Sequence, residues 1–91
     1  MTMLSNFDDN TKPLDKPITT EEEHVISIMY GEGKQPGRFV GSLINAIAHA
    51  DENNARKLRT VYPEYVNAVL SYQYGNLWER WISQHPKQKE R

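Results

Sequence analysis

The segment Gly31-Glu32-Gly33-Lys34-Gln35-Pro36-Gly37, placed before a helical stretch, has the raw material of a phosphate-binding loop, in which backbone N–H groups and a lysine cradle phosphate oxygens. Its details depart from that chemistry. The spacing is not G-x-x-x-x-G-K-S/T, Gln35 stands in place of a magnesium-ligating hydroxyl, Pro36 removes a donor, and 91 residues cannot supply a nucleotide-binding sheet. The segment reads as a linker. Asp51-Glu52-Asn53-Asn54 sets oxygen ligands in a row, but a calcium loop alternates them around a glycine and closes with a bidentate Glu at position twelve, where Tyr62 stands. Glu64 with Glu79, or Asp51 with Glu52, could act as an acid/base pair, yet no nucleophile or apolar pocket converges on them in the sequence. His24, His49 and His85 lack the i,i+4 spacing of a helical zinc pair, and there is no cysteine. The expectation is no catalytic residue, no metal site and no cofactor.

Two groups of residues are suited to binding a macromolecule. Six of the nine aromatic residues, Tyr62, Tyr65, Tyr72, Tyr74, Trp78 and Trp81, lie within twenty positions, and Tyr and Trp supply much of the contact energy at protein interfaces. Tyr72, Tyr74, Trp78 and Trp81 are the expected partner contacts. Arg56, Lys57 and Arg59, with Arg38 and Arg80, could instead meet phosphates if the helices meeting at Asp51 formed a helix-turn-helix-like hairpin. Against that alternative, the net charge is −1 and the pI about 6.3, whereas phosphate neutralisation calls for a plainly basic face.

The charge is unevenly spread: residues 1–32 carry two lysines against seven carboxylates (−5), and residues 33–91 nine basic groups against five carboxylates (+4). Residues 1–19 hold few large apolar side chains and read as a disordered acidic tail. In one further reading Asp8, Asp9, Asp15 and Glu21 to Glu23 imitate nucleic-acid phosphates. Residues 20–84 form the expected single domain and residues 85–91 a mobile C-terminal tail. At this size folding buries only about 60% of the extended chain's surface, so stability should lean on a partner or self-association. No apolar run approaches the roughly 18 residues needed to span a bilayer and no leader pattern is present, which points to the cytoplasm.

The elements that must carry these groups are helical. Thr19 and Thr20 precede Glu22 and Glu23 at capping-box spacing, and glutamates at 21, 22 and 23 favour the positive end of a helix dipole. Residues 24–30 then suit a buried helix, with a short β-branched strand as the competing reading. Gly31, Gly33, Pro36 and Gly37 end that element. Over residues 38–50, Phe39, Val40, Leu43, Ile44, Ala46, Ile47 and Ala50 fall within an arc of about 160°, with Arg38, Ser42, Asn45 and His49 opposite. Asp51 is the expected N-cap of a third, short helix and Pro63 the first-turn proline of a fourth. A straight helix over residues 62–82 would be apolar around about 280° of its circumference, so either the chain bends at Gly75 or one face awaits a partner.

The run Phe39-Val40-Gly41-Ser42-Leu43-Ile44-Asn45-Ala46-Ile47-Ala48-His49-Ala50-Asp51-Glu52-Asn53-Asn54-Ala55-Arg56-Lys57-Leu58, with Tyr62-Pro63-Glu64-Tyr65-Val66, resembles short uncharacterised reading frames of bacteriophages and prophages. That resemblance implies a phage-encoded accessory protein that binds and inhibits a host or defence protein, and it brings no active site. The sequence thus predicts an all-α bundle of four to five short helices with disordered termini. Its expected role is that of a non-enzymatic protein-interaction module that meets a protein partner or a second copy, possible homodimer included, with a nucleic-acid-binding or transcription-regulating module as the alternative.

Overall fold

A computed structural model describes residues 14–86. They form five helices, α1 (Thr20–Tyr30), α2 (Arg38–Ala48), α3 (Glu52–Val61), α4 (Pro63–Tyr74) and α5 (Leu77–Gln84), and no strand among the described residues. The strand reading of residues 24–30 is therefore set aside. None of these helices is long and apolar enough to cross a membrane.

Local chemistry sets the helix ends. Thr19 Oγ1 accepts the Glu22 N–H at 3.0 Å while Glu22 Oε1 accepts the Thr19 N–H at 3.0 Å, which selects the Thr19/Glu22 register of the capping box over Thr20/Glu23. Gly31 closes α1 in the left-handed region at φ 74°. Asp51 Oδ1 accepts the Asn54 N–H at 2.8 Å and caps α3, so α2 stops at Ala48, two residues short of the expected Ala50. Tyr62 alone joins α3 to α4, and Pro63 keeps it out of the helical region at φ −129°, ψ 60°. The chain does bend at Gly75. Its backbone there is extended, and glycine is needed because a Cβ would lie 2.9 Å from the Ser71 carbonyl oxygen.

The core consists of Val25 and Ile26 from α1, Leu43, Ile44 and Ile47 from α2, Val66, Ala68 and Val69 from α4, and Leu77 and Trp81 from α5. α4 sits at the centre and packs against all four other helices. The α2 stripe is narrower than its sequence arc, since Phe39 is 64% exposed and Ala46 is also at the surface. α3 buries no residue fully; Leu58 and Ala55 are half-buried and Val61 is exposed.

One buried ion pair ties the two ends of the described residues together. Arg80, only 3% exposed, donates from Nη1 to Glu22 Oε2 at 3.0 Å and from Nη2 to Glu22 Oε1 at 2.9 Å. The same guanidinium donates to the Pro17 carbonyl at 2.8 Å and the Lys16 carbonyl at 3.4 Å, while Gln84 donates to the carbonyls of Leu14 and Lys16. Residues 14–18, expected in the tail, therefore run along α5, with Ile18 packed on the core. His85, expected in the C-terminal tail, stacks on Trp81 with ring centroids 3.7 Å apart. Residues 1–13 and 87–91, which hold the rest of both expected tails and Asp8 and Asp9, lie outside the described residues.

Burial pushes the Glu22 carboxyl up, but hydrogen bonds from Arg80 and the Thr19 N–H, the Arg80 charge and the Ser71 hydroxyl outweigh it and hold the group below the ordinary carboxylate range. The unfolded chain binds the proton first on acidification. Glu22 therefore contributes stability that is complete above the unfolded pKa of about 4.3 and is lost as pH falls through the lower folded value. Arg80→Met should cost about 3–5 kcal/mol in urea unfolding because it leaves a buried unpaired carboxylate, and Glu22→Gln combined with Arg80→Met should cost less than Arg80→Met alone. The double variant should also lose this acid-dependent contribution.

Candidate partner-binding recess

The aromatic-rich segment 62–81 does not form one surface. Bending at Gly75 sends its rings in three directions. Trp81 is 4% exposed, packed in the core and stacked on His85, and its indole N–H is buried without a hydrogen-bond partner. As a partner contact Trp81 is thus corrected to a core residue. It also fixes the loop before α2, since a Cβ on Gly33, at φ 72°, would meet the Trp81 ring at 3.0 Å and Glu23 at 2.9 Å. Glu23 in turn accepts the Lys34 N–H at 2.8 Å, so the loop first compared with a phosphate site has its own internal partner.

Tyr72 and Trp78 are half-buried against Tyr30, the last residue of α1. Tyr30 stacks on Trp78 at 4.0 Å and meets Tyr72 edge-on at 5.8 Å. Burial, with Tyr72 and Glu79 nearby, pushes the Tyr30 phenol up, and burial with Glu21 does the same to Tyr65, whose hydroxyl lies 2.8 Å from His24 Nδ1. These rings largely satisfy one another.

Tyr74 is different. It is 81% exposed and stands at the edge of an open recess of about 520 Å³ lined by residues of α2, α3 and α4. Ile47, Val66, Val69 and Leu70 supply the apolar side. Glu52, Ala55, Arg56 and Arg59, one face of α3 at i, i+3, i+4 and i+7 spacing, supply the opposite wall. Gln73 crosses its end and donates to the Ala48 carbonyl at 3.2 Å. This volume falls within the range of about 300–1,000 Å³ usual for ligand sites.

The five basic residues considered for phosphate contact are likewise divided. Arg80 is buried in its pair with Glu22, which removes it from any phosphate-facing surface and corrects that expectation. Arg56 and Arg59 line the recess, Lys57 is exposed on α3 but does not, and Arg38 is exposed at the start of α2. α3 therefore turns two of its three basic side chains toward an apolar floor. Arg56 reaches Glu52 at 3.3 Å and Asn53 at 3.4 Å, both exposed, so it is weakly held. Tyr74, Arg56 and Arg59 stand out in the sequence in two separate function classes; their convergence depends on the α3–α4 turn at Tyr62.

A second recess of about 380 Å³ lies on the other side of α4, between Lys16, Thr19, Glu21, Glu22, Glu64, Asn67, Ala68 and Ser71. Among the described residues no three His, Asp or Glu side chains gather where a metal ion could be held. In urea unfolding, Trp81→Ala should cost about 3–5 kcal/mol, whereas Tyr74→Ala should stay within about 0.5 kcal/mol of the parent. That contrast separates the core ring from the surface ring. No protein-family model, curated protein or solved structure matches the chain.

Proposed function

We propose that this protein is a non-enzymatic helical interaction module that docks a protein partner in the recess between α2, α3 and α4. The carrying observation is the meeting of Tyr74, Arg56 and Arg59 around the half-buried side chain of Leu70. Tyrosine and arginine are enriched among the residues that dominate interface energies, and an apolar floor beside them lets an anchoring side chain leave water. Tyr74 contributes little to the fold at 81% exposure, which leaves its ring available for such contact. The resemblance of residues 39–58 and 62–66 to phage reading frames supports the narrower form, an accessory protein that inhibits a host or defence protein.

Nucleic-acid binding is the second reading, favoured by the exposure of Arg38, Lys57 and Arg59, which have no ion-pair partner among the described residues. The two readings differ in salt dependence, because a phosphate-tracking surface loses affinity steeply with salt. Quantitative affinity capture with the full chain and with its Tyr74→Ala and Arg59→Glu variants tests the proposal. A protein retained by the parent should be depleted about tenfold or more by either variant and survive nuclease treatment. Equal retention by parent and variants, or recovery only of nucleic acid, would reject the recess as the docking site.

A further inference from the structure

The chemistry of the recess says more about its occupant. Its two long walls are helix faces of opposite character. α4 presents half-buried Leu70 and exposed Tyr74 beside the buried Val66 and Val69, and α3 presents Arg56 and Arg59, with Glu52 the one carboxylate lining the recess among the described residues. Glu52 and Arg56 meet at 3.3 Å in an exposed pair, and Arg59 has no ion pair among the described residues. α3 buries no residue fully, and its charged face leaves Leu70 of α4 half-buried rather than sealed.

A ligand that fills this space must offer apolar side chains to α4 and negative charge to α3 along the same length. An amphipathic helix does so, with apolar residues at i, i+3 and i+4 and carboxylates on one flank. A nucleic-acid backbone would offer charge to the arginines but no apolar surface to Leu70. We propose that the recess binds an acidic amphipathic helix of a partner protein, its apolar anchors on Leu70 and Tyr74 and its Asp or Glu side chains at Arg56 and Arg59. This rests on the reading of the recess as a docking site and adds the chemical class of the partner.

The test is selection from a displayed library of random 16-residue peptides on the immobilised full chain, followed by affinity measurement of the enriched peptides. The variants are Tyr74→Ala and Arg56→Glu with Arg59→Glu, their folding checked by circular dichroism. Enriched peptides should pair Leu or Phe at helical spacing with Asp or Glu, should bind the double arginine variant at least tenfold more weakly, and should weaken as salt rises. Enrichment of neutral or basic peptides that still depend on Tyr74 would overturn the acidic partner and leave the docking site standing. Peptides indifferent to both sets of substitutions, or no enrichment at all, would overturn the two together. Peptides that bind only by dissociating a dimer seen in light scattering would make a second copy of the chain the occupant and overturn the proposal.

Discussion

A guanidinium withdrawn from water must find acceptors for its N–H groups and a countercharge close by, or the fold loses several kcal/mol. Arg80 finds both by drawing three separate parts of the chain to one point. Glu22 comes from the first turn of α1, the Pro17 and Lys16 carbonyls come from the segment before it, and Arg80 itself lies on the last helix. Glu22 meanwhile caps its own helix through the Thr19 N–H, so one carboxylate fixes both the start of α1 and its docking to α5. The position of α5 in turn places Trp81 against the loop before α2. The two ends of the described chain are thus held by one set of charge-assisted hydrogen bonds.

Around that clasp the two sides of α4 are treated differently. The side carrying Tyr65, Ala68 and Tyr72 meets α1, where His24 and Tyr30 supply ring contacts and Val25 and Ile26 supply core. The side carrying Val66, Val69 and Leu70 meets α2 and the arginine-bearing face of α3. Ala68 on the first side and Val66 and Val69 on the second are buried, while Leu70 stays half-buried because the charged side chains of α3 cannot close over it without losing their hydration.

Much of the secondary structure was legible because its signals act within one turn. Thr19 and Asp51 accept N–H groups three positions on, Pro63 restricts the residue before it, Gly31 takes a left-handed conformation and Gly75 leaves room for the Ser71 carbonyl, so a single sequence carries the whole argument. The excess apolar circumference of residues 62–82 was resolved by the bend at Gly75, one of the two solutions the sequence allowed. Side-chain fates set by distant partners were not legible. Nothing near Arg80 in sequence reveals that its acceptors lie at positions 16, 17 and 22, and no periodicity distinguishes buried Trp81 from exposed Tyr74 before the helix axes are known. Phe39 fell on the apolar arc of α2, yet its ring ends beside Tyr62 at the surface, 6.1 Å between centroids, because the core uses only the part of that arc facing α1 and α4. The candidate site was legible as residues but not as a place.

The attachment of α3 has a thermodynamic consequence. This helix buries no side chain fully and is joined to α4 through Tyr62 alone, so its hydrogen-bonded backbone is secured by few apolar contacts. Local opening of such an element costs less than global unfolding, and amide protons in α3 should exchange through that cheaper route. Any ligand that rests against its inner face adds to the free energy of that opening. Occupancy of the recess and the local stability of α3 are therefore linked functions, and a protection factor in one helix becomes a binding isotherm for the whole molecule.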